Sequence, residues 1–581
     1  MAINFNNINS VWASILVESF KLLGLTTAII CPGSRSTPLA FAFAKHNQIE
    51  AISMLDERSA SFFALGLAKR SGLPVALVCT SGTACANFYP ALIEAKESRV
   101  PLLFLTADRP HELRDCNAGQ TIDQIKMFGT FPNWQAELAL PSLDAEMLSY
   151  LRQIAIHAWE KSLWPVSGPT HLNIPFREPL APIPQKEVIA LMSQFKSDSF
   201  FTNVEKLTFP NPPFSFPGVN PLKEWEQCSR GVIIAGPTQE QYPEQYCKAI
   251  AQISKSLGWP VLAEALSPLR NYASINSYLI SSYDIILRNK QLAEQLSPEI
   301  VIRVGGMPTS KELRVWLNQT QPKCWIIDPG SRNLDPIHLK TAHLRLSVEK
   351  LSYEISDTED IISDYLELWC SIEKKVNQAV EQTMSKLDSL FEGKAAWLLS
   401  KLLPKNTPLF ISNSTPIRDL DSFWQARCSK ITPYFNRGVN GIEGILSTAL
   451  GIAYRNQSSV LLTGDLALIH DVNGFLMRKK FIGHLTIVLI NNNGGGIFEH
   501  LPVSNFDPPF EEFFGTPQDI DFSKLCATYD VEHELISSWE ELAQRLNPLP
   551  TRGIRVLELQ TNRKTDALWR KTNLAKIAEA L

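Results

Sequence analysis

The chain has no long hydrophobic run, no excess of either charge and no paired cysteines, and each absence removes a class of protein. No apolar stretch approaches the roughly 18 residues of a membrane span, so no membrane association is expected. The opening Met1-Ala2-Ile3-Asn4-Phe5-Asn6-Asn7 lacks the basic and apolar regions of an export signal, which makes the cytoplasm the expected location. Lys and Arg number 55 against 59 Asp and Glu, a formal charge of −4. That balance lacks the basic surface on which nucleic-acid binding depends. It also means that an acidic ligand must be held by local cations, because the overall field is slightly repulsive. The ten cysteines stand singly, with no C-x-x-C pair and no histidine cluster at zinc spacing. They are expected to be reduced thiols of the core.

What remains is a chain of 581 residues, 45% apolar and 20% charged. One hydrophobic core rarely grows past about 250–300 residues, so at least two domains are required. Short β-branched runs at 27–31, 75–79, 102–106, 232–235, 300–304, 325–328, 460–463 and 485–490 alternate with helix-like stretches. Being largely apolar rather than alternating, these runs predict parallel strands covered on both faces. Seven prolines fall within residues 182–221, with Pro210, Pro212, Pro213 and Pro217 clustered, the composition of a linker. A second break starts near Glu349, passes through Glu354, Asp357, Glu359, Asp360 and Asp364 into a helical segment, and ends near Pro404. That segment reads as a solvated helix. Three blocks follow, 1–185, 215–350 and 390–581.

The outer blocks share a layout. A strand leads into Ser81-Gly82-Thr83 in one and into Gly464-Asp465 in the other, and each continues through a helix to a further strand. The most specific feature is Gly464-Asp465-Leu466 followed, 27 residues after the Asp, by Asn492 within Asn491-Asn492-Asn493-Gly494-Gly495-Gly496. Both ends follow apolar strands, at the edge where parallel sheets bind ligands. A hard divalent cation such as Mg²⁺ takes oxygen ligands shared with phosphates, and Mn²⁺ tolerates the same donors. Asp465 offers a carboxylate, Asn492 an amide oxygen, and Gly494 a carbonyl that no side chain obstructs.

This pair resembles the metal–diphosphate motif of thiamine-diphosphate enzymes. Most members carry Gly-Asp-Gly, and Leu466 at the third position is similar to one branch, the 2-succinyl-5-enolpyruvyl-6-hydroxy-3-cyclohexene-1-carboxylate synthases. Cys31-Pro32-Gly33-Ser34-Arg35-Ser36-Thr37-Pro38, Asp56-Glu57-Arg58, Thr80-Ser81-Gly82-Thr83-Ala84, Thr106-Ala107-Asp108-Arg109-Pro110 and Glu112-Leu113-Arg114-Asp115-Cys116 resemble the same branch. So do Phe435-Asn436-Arg437-Gly438, Gly441-Ile442-Glu443-Gly444 and the 494–498 run. The resemblance implies an α/β fold of three parallel-sheet domains: a pyrimidine-binding domain (1–185), a central domain (215–350) and a diphosphate- and metal-binding domain (390–581).

Glu57 opens a segment whose Ala60, Phe63, Ala64, Leu67 and Ala68 predict a one-faced helix, where an acid in the first turn is ordinarily favoured by the helix dipole. The resemblance makes it instead the glutamate that hydrogen-bonds the aminopyrimidine ring of thiamine diphosphate, in a setting expected to be apolar. It implies that Ile442 props the bent cofactor, that Phe498 and Leu501 wall the pocket, and that Ser414, Gly464, Asp465 and Asn492 hold the diphosphate and its Mg²⁺ or Mn²⁺, with Gly494 as third metal ligand. Arg35, Arg109, Arg418 and Arg437 sit in loop-like motifs, and planar guanidinium groups are suited to carboxylates. By resemblance they bind substrate together with Ser34 and Gln120. Gly305-Gly306-Met307-Pro308-Thr309-Ser310-Lys311 resembles the central domain's contribution, with Lys311 at a basic position and Glu312 where the family is expected to have Arg. The 232–237 strand and turn carry no G-x-G-x-x-G fingerprint, so dinucleotide binding is not expected there.

The implied reaction is decarboxylation of 2-oxoglutarate and 1,4-addition of the resulting succinyl-semialdehyde carbanion to isochorismate, in menaquinone or phylloquinone biosynthesis. Since the family draws the glutamate and the metal motif from different subunits, a homodimer or homotetramer is implied. The alternatives are another thiamine-diphosphate carboligase acting on a smaller keto acid, and a non-catalytic cofactor-binding homologue.

Overall fold

Aliphatic runs bounded by Gly, Pro, Asp and Asn become strands at all eight of the expected places. The computed structural model describes residues 3–207, 221–355 and 360–579. Pro210, Pro212, Pro213 and Pro217 of the expected linker, and Asp357 and Glu359 of the acidic stretch, therefore lie outside the described residues.

Among the described residues the strands form three six-stranded sheets, and every recorded pairing is parallel. The first contains β1 (Thr27–Ile30), β2 (Glu50–Ser53), β3 (Val75–Cys79), β4 (Leu102–Asp108), β5 (Trp134–Glu137) and β6 (Pro169–Pro175). The second has β7 (Gly231–Ala235), β8 (Val261–Ala263), β9 (Leu279–Ile280), β10 (Ile300–Val304), β11 (Lys323–Ile327) and β12 (Lys340–Leu344). The third has β13 (Pro408–Ile411), β14 (Thr432–Phe435), β15 (Ser459–Gly464), β16 (His484–Asn491), β17 (Glu532–Leu535) and β18 (Gly553–Gln560). One sheet falls in each of the blocks 1–185, 215–350 and 390–581; the block limits as domain boundaries remain our proposal. Counted within each sheet, the first and third have the same strand order, 2-1-3-4-6-5. The second has 3-2-1-4-5-6. Both orders place a switch point, where the connection direction reverses and a ligand crevice opens at the carboxyl ends of the strands.

The chain divides into two compact units. The first holds Met1–Asn211 with Asn436–Tyr454 and His470–Phe481; the second holds Pro212–Phe435 with Arg455–Ile469 and Ile482–Leu581. In the first unit, Val11, Trp12, Ile15, Leu16 and Phe20 of the Ile8–Leu23 helix pack on inward residues of the first sheet, such as Leu103, Leu105, Leu172 and Ile174. The Glu57–Ser71 helix corrects the expectation of a single apolar face: every residue from Ser59 to Lys69 is buried. Its partner is the Ile445–Ala453 helix, and two glycines let the helices touch. A Cβ on Gly66 would lie 2.1 Å from the Thr448 carbonyl oxygen, and one on Gly451 would lie 2.1 Å from that of Phe63.

In the second unit the acidic break does not lead to a solvated helix. The Asp364–Ser385 helix buries Tyr365, Leu366, Trp369, Ile372, Val376 and Val380 in one core with Val232, Ile234 and Leu262. Their helical spacing gathers an apolar stripe that the net acidity of the segment conceals. The crevice of the second sheet is filled by its own backbone. The Gly306 N–H donates to the Pro237 carbonyl (3.0 Å), and a Cβ on Gly236 would sit 1.8 Å from the Gly306 carbonyl oxygen. All ten cysteines are free, but Cys116 and Cys428 are exposed, so the expected core placement does not extend to them.

Candidate active site

In the first unit, Ser34 follows β1, Ser81 and Gly82 follow β3, and Arg109 follows β4, so the switch point between β1 and β3 gathers them at one edge. The buried Arg35 donates through Nη1 to the Phe176 carbonyl (2.9 Å), and its Nη2 lies 3.5 Å from Glu178. Its Nε is buried without a partner. Burial and the nearby Arg109 push the Arg35 guanidinium down from its ordinary range. Arg109 is anchored through Nη1 on the Ser81 hydroxyl, and its backbone N–H on Asp108 (2.7 Å). Gln120, exposed and at φ +57°, donates to the Ser81 carbonyl (3.4 Å). Ser34 is exposed, its carbonyl capping Thr37. Two neighbouring guanidinium groups, one with an unused N–H, make a site for a carboxylate.

Glu57 is the first residue of its helix, whose N-cap Asp56 accepts from Ser59 N–H (3.1 Å). Its Oε2 accepts from Asn87 Nδ2 at 3.4 Å. Leu55, Asp56, Arg58, Asn87, Asn473 and Leu476 share a cavity of about 360 Å³ with it. The wall is more polar than the apolar setting expected from the sequence, because the loops around the helix start bring Asn87 and Asn473 to it. Beneath lie Cys31, Cys79 and Cys85, whose thiols are pushed up by burial and further by the Glu57 charge. Arg437 and Ile442 also belong to this unit, both half-buried. The backbone after Arg437 is held by Glu94, which accepts from Gly438 N–H (3.0 Å) and Val439 N–H (2.9 Å).

The second unit gathers Ser414, Asp465 and Asn492 from three adjacent strands. Ser414 follows β13, Asp465 follows β15, and Asn492 follows β16, flanking the switch point between β13 and β15. Ser414 has φ +75°, a strained conformation for a residue with a side chain and one that clusters at functional sites. Asp465 Oδ1 accepts from Leu466 N–H and Oδ2 from Gly494 N–H, both at 2.8 Å. Burial, with a contribution from the Glu392 charge, pushes Asp465 up to about 6. Gly494 has φ +139°, and a Cβ there would meet the Gly515 carbonyl oxygen at 2.2 Å. Its own carbonyl accepts from Gly496 N–H at 2.9 Å, leaving one lone pair. Asn492 is buried, and its Oδ1 has no partner among the described residues. An orphaned buried amide oxygen near a raised carboxylate fits a hard divalent cation. Among the described residues no three His, Cys, Asp or Glu side chains gather as a metal cluster.

Gly464 ends β15 with open space where a Cβ would stand. Phe498 packs edge-on to Phe514 at 5.7 Å, while Leu501 is 47% exposed, a surface rather than an enclosed wall in this chain. Arg418 is exposed, its Nη1 on the Ser414 carbonyl (2.6 Å). Lys311 is exposed at the start of the Lys311–Thr320 helix, on a loop pinned by Thr309 to Glu264 and by Ser310 to Asp284. Four residues escaped sequence reading. His500 is pushed down to about 4 by partial burial and by Arg570, Arg418 and Arg288. Glu392 and Arg570 pair at 3.1 Å behind Asn492. None of the four, Arg288 included, lies in a motif, so no local signal marked them.

Comparison with known proteins bears on both ends of this arrangement. The description "Thiamine pyrophosphate enzyme, N-terminal TPP binding domain" matches residues 12–127, and "Middle domain of thiamine pyrophosphate" matches residues 213–411. A 2-succinyl-5-enolpyruvyl-6-hydroxy-3-cyclohexene-1-carboxylate synthase of Nostoc sp. (strain PCC 7120 / SAG 25.82 / UTEX 2576) is 61% identical over 100% of this chain and 99% of its own length. The chain belongs to this synthase family. The synthase of Gloeothece citriformis (strain PCC 7424) is likewise 61% identical, over 100% of both chains, and that of Trichodesmium erythraeum (strain IMS101) 58%, over 99% of both. Membership makes the chain a thiamine-diphosphate enzyme of the transferase type, and the three parallel sheets are those of that class. Among the described residues no helix is long and apolar enough to cross a membrane.

Proposed function

We propose that this chain decarboxylates 2-oxoglutarate and adds the resulting four-carbon unit to isochorismate, giving the product for which its relatives are named, on the route to menaquinone or phylloquinone. The observation that carries the substrate class is Arg35 beside Arg109, two guanidinium groups at one sheet edge with an unused buried Nε. A dicarboxylic keto acid offers a second carboxylate to such a pair; pyruvate does not.

Asp465 and Asn492, with the Gly494 carbonyl, would hold Mg²⁺ or Mn²⁺ and through it the diphosphate, beside Ser414 and Gly464. When bound, thiamine diphosphate supplies the electron sink that lets CO₂ leave a 2-oxo acid. Glu57 Oε1 holds or releases a proton toward the aminopyrimidine ring, with Oε2 steadied by Asn87. Ile442 would prop the cofactor, and Phe498 and Leu501 would line its pocket. Arg35, Arg109, Arg418, Arg437 and Lys311 orient the carboxylates of the two substrates, with Ser34 and Gln120 as neutral companions. Orientation and charge complementarity are the protein's share of the rate. The assembly is at least a homodimer, with a homotetramer as the larger form, and its place is the cytoplasm.

The test is incubation with 2-oxoglutarate, isochorismate, thiamine diphosphate and Mg²⁺, with the product identified by mass. Faster CO₂ release from pyruvate than from 2-oxoglutarate would favour the smaller-substrate carboligase. Cofactor binding with no CO₂ release from either acid would favour a non-catalytic homologue.

A further inference from the structure

Behind the metal motif lies a buried charged network that no motif announces. Glu392 opens the Glu392–Leu402 helix and is 3% exposed. Its Oε2 accepts from Asn492 Nδ2 at 3.3 Å, and its Oε1 accepts from Arg570 Nη1 at 3.1 Å. Arg570 is itself clamped by Asp419, Nε to Oδ1 at 2.8 Å and Nη2 to Oδ2 at 2.6 Å. The Glu392 backbone N–H donates to Asp566 Oδ2 at 3.2 Å. All five side chains are buried.

The two ends of an amide differ in sign, and its orientation is set by what each end meets. A carboxylate accepts and cannot donate, so Glu392 holds the NH₂ end of Asn492 and repels the oxygen end. Oδ1 is thereby turned away from Glu392 and left buried without a partner. We propose that Glu392, locked by Arg570 and Asp419, is a positioning residue that presents Asn492 Oδ1 to the divalent cation. This rests on the metal reading of Asp465 and Asn492 given above.

The chemistry predicts a specific failure. In Glu392→Gln, Arg570 still donates and so draws the glutamine oxygen toward itself. The glutamine NH₂ then faces Asn492, which turns Oδ1 to meet it and away from the cation. Mg²⁺ affinity, measured by isothermal titration of the full-length protein with thiamine diphosphate present, is expected to fall about 10- to 100-fold. Adding Asn492→Asp should restore most of it, because one carboxylate oxygen can accept from the glutamine while the other faces the metal; a merely structural defect would not be rescued. Glu392→Asp, which keeps the charge but shortens the reach, is expected to weaken Mg²⁺ by several-fold and decides the matter if Glu392→Gln does not fold. Mg²⁺ affinity within twofold of the parent in a folded Glu392 variant overturns the proposal. A parent protein that binds no Mg²⁺ with the cofactor present would sink the metal reading itself, a separate outcome.

Discussion

Asp465 and Gly494, 29 positions apart in the chain, are joined directly: the carboxylate Oδ2 accepts the glycine N–H at 2.8 Å. This bond ties the turn after β15 to the turn after β16, and with the Leu466 N–H on Oδ1 it fixes the orientation of the carboxylate. Asp465→Asn removes the negative charge while keeping an oxygen for the Gly494 N–H. The expected outcome is a folded protein, less stable because the amide NH₂ comes to face the Leu466 N–H, whose Mg²⁺ affinity, by titration with thiamine diphosphate present, falls at least about 100-fold. Parental metal affinity would remove Asp465 from the site.

Glu57→Gln should suppress turnover by about 10²- to 10⁴-fold, the range of a lost acid–base group. Thiamine diphosphate and Mg²⁺ binding should stay within a few-fold of the parent, since Glu57 belongs to the first unit and the metal motif to the second. Steady-state rates beside a binding titration check both halves, and near-parental turnover would remove the role assigned to Glu57.

Arg35→Lys and Arg109→Lys keep the charge and lose the planar fork. Each should raise the KM for 2-oxoglutarate about 10-fold or more, the worth of one charge-assisted hydrogen bond at roughly 1.5–3 kcal/mol. The effect on kcat should be smaller. A change confined to kcat would place these arginines away from substrate binding.

Gly66→Ala and Gly451→Ala test the helix contact that carries the Glu57 helix. Either methyl group would press on a backbone carbonyl at 2.1 Å, where neither helix can yield without moving the other. Each substitution should cost about 1–3 kcal/mol in denaturant unfolding, as overpacking does. Unchanged stability would contradict the close contact.

His171 on β6 sets part of the acid response. Its ring is fully enclosed, sharing a 2.8 Å hydrogen bond with Thr106 Oγ1 and meeting the Phe128 ring edge-on at 4.8 Å. Burial pushes it from 6.5 down to about 3. Between those values the unfolded chain binds the proton and the native one does not, so this stability is whole above pH 6.5 and drains as pH falls toward 3. In His171→Gln the slope of unfolding free energy against pH over that window should be shallower by about 1.4 kcal/mol per pH unit. An unaltered slope would show that His171 protonates in the native state.

Composition and local pattern alone determined a great deal here. Largely apolar runs located eight of the 18 strands among the described residues, because a strand covered on both faces tolerates few polar residues at any position. The Gly464-Asp465 and Asn492-Gly494 motif was legible because short loops at a sheet edge need particular donors and particular backbone angles in fixed order. Sequence reading failed where a property belongs to several distant segments at once. The acidity around Asp360 and Asp364 concealed a stripe from Tyr365 to Val380 whose burial depends on a sheet that begins more than 100 residues earlier. The Glu57 helix looked one-faced because Ser59, Ser61 and Lys69 are polar, yet neighbours on every side bury them. Glu392, Asp419 and Arg570 carry no local signature at all. Only the tertiary structure brings them behind Asn492, because a buried charge is stable only among partners and those partners come from three separate parts of the chain.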